Sequence, residues 1–329
     1  GNDGMRKELE GAGVEHHPLN LKSIKSVVRN SIAVRKLIKR CHPDIIHTHQ
    51  FASNFYGSVG AIGLHVPVVS HIHNPDMPQP FSRKVIRFFI NLWLTDVFIT
   101  TIEEKTQSLK LIPGFRKKVF VLHNAIDPKN FLLPARFDRK KYQANLSIPR
   151  GNFVIGSVGR FSWEKGYNLL LEVFKQVLVK IPNAFLVLVG DGPNMAKLKK
   201  MADDLDVSDR TIFTGYRKDT AVFMSLFDIF VVSSKMESFS LASLEAMYLS
   251  IPVIITDRLS SKDILSRAAM VVPCSIEGLE KGIISLFQNE KLRKEMSAKG
   301  KKMIRSEFTI DTYIIKLEKI YNALLSKKL

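Results

Sequence analysis

The stretch Ser233-Ser-Lys-Met-Glu-Ser-Phe-Ser-Leu-Ala-Ser-Leu-Glu-Ala-Met-Tyr-Leu-Ser-Ile-Pro-Val-Ile-Ile-Thr-Asp257 decides the fold, because it passes from strand to helix and back to strand. Just before it, Asp228-Ile-Phe-Val-Val reads as a short buried strand. Residues 241–249 carry the apolar spacing of a helix, and Val253-Ile-Ile is the next strand. The turn Ser238-Phe239-Ser240 therefore falls at a helix N-terminus, where unpaired backbone N–H groups and the positive end of the helix dipole suit a phosphate. Glu237 lies just outside the helix. Glu245 lies further in, where its carboxylate can accept hydrogen bonds from hydroxyls.

Alone, two carboxylates at this spacing also describe a pair of solvated helix-end charges. They gain weight from a second stretch, Val158-Gly159-Arg160-Phe161-Ser162-Trp163-Glu164-Lys165-Gly166, which likewise sits between a strand and a helix. Two such turns in one sheet point into one cleft.

At 329 residues the chain exceeds one ordinary core, so two domains are expected, and its 45% apolar share is that of a folded protein. Short apolar runs alternate with helical segments, the pattern of parallel sheets with crossover helices. In the first half the strands are expected at 44–49, 66–73, 96–101 and 118–122. In the second they are expected at 153–159, 184–190, 211–215, 228–232 and 252–256, with amphipathic helices at 276–289, 290–306 and 310–326. Residues 127–150 contain three prolines and the basic run Arg136-Phe-Asp-Arg-Lys-Lys141, and they follow neither period. They read as the connection between domains. The organisation expected is a first domain over 1–127, a linker over 128–150, a second domain over 151–305 and a final helix over 306–329.

The net charge of +18 is uneven, with 23 Lys/Arg against 11 Asp/Glu in residues 1–150 and 26 against 20 in the rest. Nucleic acid is an unsuitable partner, since no zinc-finger, helix-turn-helix or RNA-binding pattern accompanies the charge. An anionic membrane surface fits better: Phe81-Ser-Arg-Lys-Val-Ile-Arg-Phe-Phe-Ile-Asn-Leu-Trp-Leu94 sets Arg83, Lys84 and Arg87 beside bulky apolar residues, although a core helix with a basic end reads the same way. No apolar run reaches the roughly 20 residues that span a bilayer. Cys41 and Cys274 stand far apart, and neither Cys nor His clusters along the chain, which argues against a disulfide framework or a zinc site. A cytoplasmic protein, peripheral at the inner face of the membrane, is the expectation.

Taken in order, several segments resemble the retaining glycosyltransferases of family 4. They are Pro43-Asp-Ile-Ile-His-Thr-His49, Val121-Leu-His-Asn-Ala-Ile-Asp127, Val158-Gly-Arg with Lys165-Gly, Leu188-Val-Gly-Asp-Gly-Pro193, Phe213-Thr-Gly215 and the Glu237 to Glu245 block. The resemblance implies an α/β GT-B fold of two facing Rossmann-like doubly wound domains, the first incomplete, and a final helix that crosses back to the first. It implies transfer of a sugar from a UDP- or GDP-sugar to a glycan or lipid-linked acceptor in cell-surface polysaccharide assembly. No metal cofactor is needed in such a site, because Arg160, Lys165 and a helix N-terminus neutralise the departing diphosphate. The same resemblance gives Glu245 the ribose hydroxyls and sets Glu237 beside the reacting carbon of the sugar. The 238–241 turn (Ser238, Phe239, Ser240 and Leu241) would supply N–H groups, and Tyr216 joins Gly159 in the donor set. His73, ahead of His71, would lie near sugar and acceptor, while His47 and His49 shape the strand end. Attack from the leaving-group face is implied, with no protein nucleophile, against the alternative of a covalent sugar on Glu237.

Departures from the family pattern are also plain. The chain resembles the family only from the helix after its second strand, so the first strand, glycine-rich loop, helix and second strand are expected to be missing. Ser238, Ser250, Leu259-Ser260 and Ala125 stand where the family has glycine. These changes leave the donor sugar open, and they keep a second expectation alive, a nucleotide-sugar or glycan binding member without catalysis.

Overall fold

In a computed structural model, residues 3–19, 27–73, 93–103, 107 and 119–326 are described. The chain divides into two compact units: Gly1–Thr100, Gln107–Phe120 and Tyr321–Leu329 form the first, and Thr101–Thr106 and Val121–Ile320 the second.

In the first unit, β1 (Ile46–His49), β2 (Val68–Ile72), β3 (Val97–Thr100) and β4 (Val119–Val121) lie side by side in that order. β1 runs parallel to β2, and β2 parallel to β3. Every residue of β2 and β3 is buried, the polar Ser70, His71 and Thr100 included, so neither strand alternates between a buried and an exposed face. The helices described here are α1 (Asp3–Gly11), α2 (Val27–Cys41) and α3 (Gln50–Ala61). Ile38 of α2, Ala61 of α3 and Val68 of β2 share one core, with Val34, Ile46, Leu64 and Val66 packed against it.

The second unit holds β5 (Phe153–Val158), β6 (Ala184–Val189), β7 (Thr211–Phe213), β8 (Ile229–Val232), β9 (Val253–Thr256) and β10 (Met270–Val272). They pair in parallel in the order β10-β9-β8-β5-β6-β7. Counted from β5, this is the doubly wound 3-2-1-4-5-6 order, whose direction of winding reverses between β5 and β8. The pleat sorts each strand between two cores: Phe153 and Ile155 of β5 join Leu186 and Leu188 of β6 on one face, while Val154 joins Phe185, Val187 and Val189 on the other.

The strands and the three C-terminal helices expected from the sequence are present, the helices as Ile276–Gln288, Glu290–Glu307 and Ile310–Leu325. β10 was not anticipated from the sequence. The 128–150 segment also holds more structure than its composition suggests. A 3-10 turn spans Pro128–Phe131 and a helix spans Arg139–Asn145, and both cluster with the second unit. Asp138 caps that helix by accepting the Lys140 and Lys141 N–H groups. Arg139 donates to Asp228 Oδ1 at 2.8 Å, and Asp228 Oδ2 accepts the Val154 N–H at 2.8 Å. The basic run is thus anchored where β5 and β8 begin.

Residues 81–92 of the basic apolar segment lie outside the described residues. Among the described residues, no helix is long and apolar enough to cross a membrane.

Asp228→Ala removes both hydrogen bonds and leaves the half-buried Arg139 without its carboxylate. Its expected cost is about 2 kcal/mol of unfolding free energy, at the charged-hydrogen-bond scale, read as a lowered urea midpoint at unchanged slope.

Candidate active site

Open α/β sheets bind ligands beyond the carboxyl ends of their strands, where the winding reverses. Here that place lies between the exits of β5 and β8, and both sequence motifs emerge there. Gly159 to Gly166 leave β5, and Ser233 to Ser240 leave β8.

Backbone packing draws the loops together. Gly166 adopts φ +68° in the left-handed region, and a Cβ there would stand 2.0 Å from the Ser233 carbonyl. Ser233 Oγ donates to the Lys165 carbonyl at 3.0 Å, and the Lys235 N–H to the Glu164 carbonyl at 2.8 Å. On the other side, Gly190 at φ +142° lets the β6 exit press onto Gly159, whose carbonyl oxygen would be 2.0 Å from an added Cβ. Only residues without side chains let these three turns close up.

Side chains then define the chemistry. Lys165 Nζ donates to Glu237 Oε1 at 2.6 Å, and Ser234 Oγ donates to Glu237 Oε2 at 2.6 Å. Both oxygens of Glu237 are thus engaged, with its side chain 11% exposed and that of Lys165 28%. Tyr167 lies buried beneath them, its phenol pushed up by burial, a rise that its hydrogen bond with Ser157 offsets in part. Arg160 is exposed at the mouth of a cleft of about 630 Å³, lined with Gly159, Asp191, Tyr216, Arg217 and Thr220 among others. Tyr216 is 72% exposed, a free ring face on the cleft wall.

A helix spanning Leu241–Tyr248 starts at Ser240, whose Oγ accepts the Ser243 N–H. The N–H groups of Leu241 and Ala242 in its first turn have no intrahelical acceptor. Phe239 differs from its neighbours: its ring is buried between His123 and Phe308, at centroid distances of 6.0 and 6.3 Å, so its backbone alone is left for a ligand. His123 is itself held by the Thr101 carbonyl at 3.0 Å, and the 121–127 motif thereby braces the entry to this helix. Leu259, where the family has glycine, is buried, and the Ser260 N–H meets the Glu237 carbonyl at 2.9 Å. Glu245 has its carboxyl raised above the usual range by burial alone, and no hydrogen bond or ion pair to the described residues relieves it. A desolvated carboxylate without a partner is primed to accept hydrogen bonds from a ligand.

The second unit holds Gly159, Arg160, Lys165, Tyr216, Glu237, Ser238, Phe239, Ser240, Leu241 and Glu245; Gly159, Arg160 and Tyr216 line the cleft, and Lys165, Glu237 and Ser240 line a small pocket that shares Val158 with it. His73 lies instead in the first unit, at the end of β2. There one reading of the sequence is corrected, since the histidines do cluster. The β1–β2 register sets His49 beside His71, and the pleat puts His47, His49, His71 and His73 on one face. Their rings stack at 4.2 to 5.6 Å between centroids. Burial lowers His47 to about 4 and His71 to about 3, with neighbouring imidazoles adding to it. Sequence reading also missed Ser234 and Asp191 as parts of the donor-side turns. Both stand in quoted motifs, but only the fold shows Ser234 on the Glu237 carboxylate and Asp191 on the lining of the cleft.

This fold is that of the GT-B glycosyltransferases, with Rossmann-like units. The chain has a TM-score of 0.86 to the Anabaena protein HepE solved with UDP, at 18% identity over 97% of this chain and 89% of that one. It has 0.84 to a Rickettsia africae glycosyltransferase, at 18% identity over 99% and 88%. The family described as Glycosyltransferase Family 4 matches residues 2–130, and Glycosyl transferases group 1 matches residues 138–303. The chain belongs to this glycosyltransferase family and is a glycosyltransferase. Among its relatives, the N-acetyl-alpha-D-glucosaminyl L-malate synthase of Bacillus anthracis is 24% identical over 87% of this chain and 76% of its own length. The Escherichia coli UDP-Gal:alpha-D-GlcNAc-diphosphoundecaprenol alpha-1,3-galactosyltransferase is 28% identical over 72% of this chain and 64% of its own.

A raised carboxyl binds more protons in the folded than in the unfolded chain, so it lowers stability as pH rises past its ordinary 4.5. Glu245→Gln is therefore expected to gain stability over the parent at about pH 7 and not at about pH 4, checked by urea unfolding at both.

Proposed function

We propose that this chain is a metal-independent, retaining glycosyltransferase that moves a sugar from a UDP- or GDP-sugar to a glycan or lipid-linked acceptor in cell-surface polysaccharide assembly. The observation that carries the reading is the meeting of Lys165 and Glu237 at 2.6 Å at the switch point, beside the exposed Arg160 and the first turn of the Leu241–Tyr248 helix. Cleavage of a sugar nucleotide builds charge on the leaving diphosphate. A guanidinium, an ammonium and free backbone N–H groups aimed at one place stabilise that charge without a metal ion.

In this reading the diphosphate takes Arg160 and draws Lys165 from Glu237. The ribose hydroxyls donate to Glu245, whose carboxylate recovers the hydrogen bonds it lacks, and the base lies in the cleft against Tyr216. Glu237 is not called on as a nucleophile: with Lys165 drawn off, Ser234 Oγ still holds its Oε2. It orients the sugar instead, and the departing phosphate oxygen takes the acceptor proton as the new bond forms on the same face. His73 holds a sugar hydroxyl as a neutral imidazole, its pKa lowered by burial and then by His49. Uridine is the favoured base: HepE is solved with UDP, and the Escherichia coli relative's name carries UDP-Gal and a diphosphoundecaprenol acceptor. A Streptococcus pneumoniae relative, 27% identical over 67% of this chain and 53% of its own length, is an alpha-monoglucosyldiacylglycerol synthase, which supports a lipid-linked acceptor.

Calorimetric titration with UDP and GDP in the presence of a chelator tests the donor site. One nucleotide is expected to bind, with affinity falling at least about 10-fold in both Arg160→Ala and Glu245→Ala, the scale of one charge-assisted hydrogen bond. Binding that needs a divalent ion, or that both variants leave intact, would refute the reading. Mass spectrometry after turnover with a fluorinated donor is expected to find no sugar on Glu237.

A further inference from the structure

We propose that His47, His49 and His71 of the first unit form a binding site for a divalent transition-metal ion of the zinc class, buttressed by Tyr321 and His73.

One ring nitrogen from each of the three lies within 4.8 Å of the others. A tetrahedral ion with bonds of about 2.0 to 2.1 Å needs nitrogens about 3.4 Å apart, a closure that ring rotation about the soft χ2 torsion supplies. The second observation is a set of orphaned nitrogens. His71 is 0% exposed, yet neither of its ring nitrogens has a hydrogen-bond partner among the described residues, and His47 Nε2 is buried in the same condition. A buried imidazole with both nitrogens idle is costly to keep, and a metal ion is a partner that uses the lone pair.

The outer contacts fit metal ligation. His47 Nδ1 lies 2.5 Å from Tyr321 Oη, and with the imidazole as donor its Nε2 carries the lone pair. His49 Nδ1 lies 2.8 Å from His73 Nε2, which frees His49 Nε2 in the same way. Metal-bound histidines usually fix their other nitrogen by such a bond. A donor set made of imidazole favours zinc, cobalt, nickel or copper and disfavours the oxygen-seeking magnesium and calcium. Three protein ligands leave one coordination position for water or an oxygen ligand.

The test uses tag-free, chelator-treated full chain titrated with Zn²⁺ by calorimetry and with Co²⁺ by visible absorption. One ion per chain is expected, with the intense visible bands of tetrahedral cobalt. His49 is exposed, so His49→Gln should fold as judged by far-UV circular dichroism and thermal unfolding, and bind zinc at least about 10-fold more weakly. Tyr321→Phe, which keeps all three ligands, should weaken binding about 10- to 100-fold. Absence of saturable zinc and cobalt binding, or binding that His49→Gln leaves unchanged, would overturn the proposal. These readouts need neither donor nor turnover, so they stand apart from the sugar-transfer reading.

Discussion

Placing an ammonium against a carboxylate at the point where a parallel sheet reverses its winding constrains everything around it. Lys165 reaches Glu237 because Gly166 lets its turn lie against the Ser233 carbonyl, and because β5 and β8 are neighbours although far apart in sequence. The pair satisfies two charges that half-burial would otherwise leave costly, and it keeps the lysine where a diphosphate is expected. Ser234 completes the arrangement by taking the second carboxylate oxygen. Stability and readiness are thus served by one contact, which an incoming anion can exchange for a stronger one.

Glu245 follows the opposite logic. Its carboxylate is desolvated without compensation, a cost carried by the two well-packed cores on either side of the sheet. Such a cost makes sense where a ligand brings its own hydrogen-bond donors. Between them, the two glutamates divide the labour: one is held by protein donors and the other is left for hydroxyls.

Much of this was legible in the sequence because parallel strands buried on both faces announce themselves as apolar runs, and glycines mark turns where backbones touch. Arg160, Lys165, Glu237 and Glu245 stood out through residue type and position in those turns. Other features depended on contacts remote in sequence. The Arg139–Asn145 helix hid within a basic run, since its anchor, Asp228, lies far along the chain, just before β8. The histidines looked scattered because strand register, which pairs His49 with His71, is not written in either strand alone. Phe239 read as part of a ligand turn, whereas its ring packs against His123 and Phe308 in the core.

The most direct measurement of the central claim is a crystal structure of the chain with a nucleoside diphosphate bound in the presence of a chelator. The account predicts diphosphate oxygens on Arg160, on Lys165 displaced from Glu237, and on the first turn of the Leu241–Tyr248 helix, with both ribose hydroxyls on Glu245. A nucleotide seated elsewhere, with Lys165 still closed on Glu237, would contradict it.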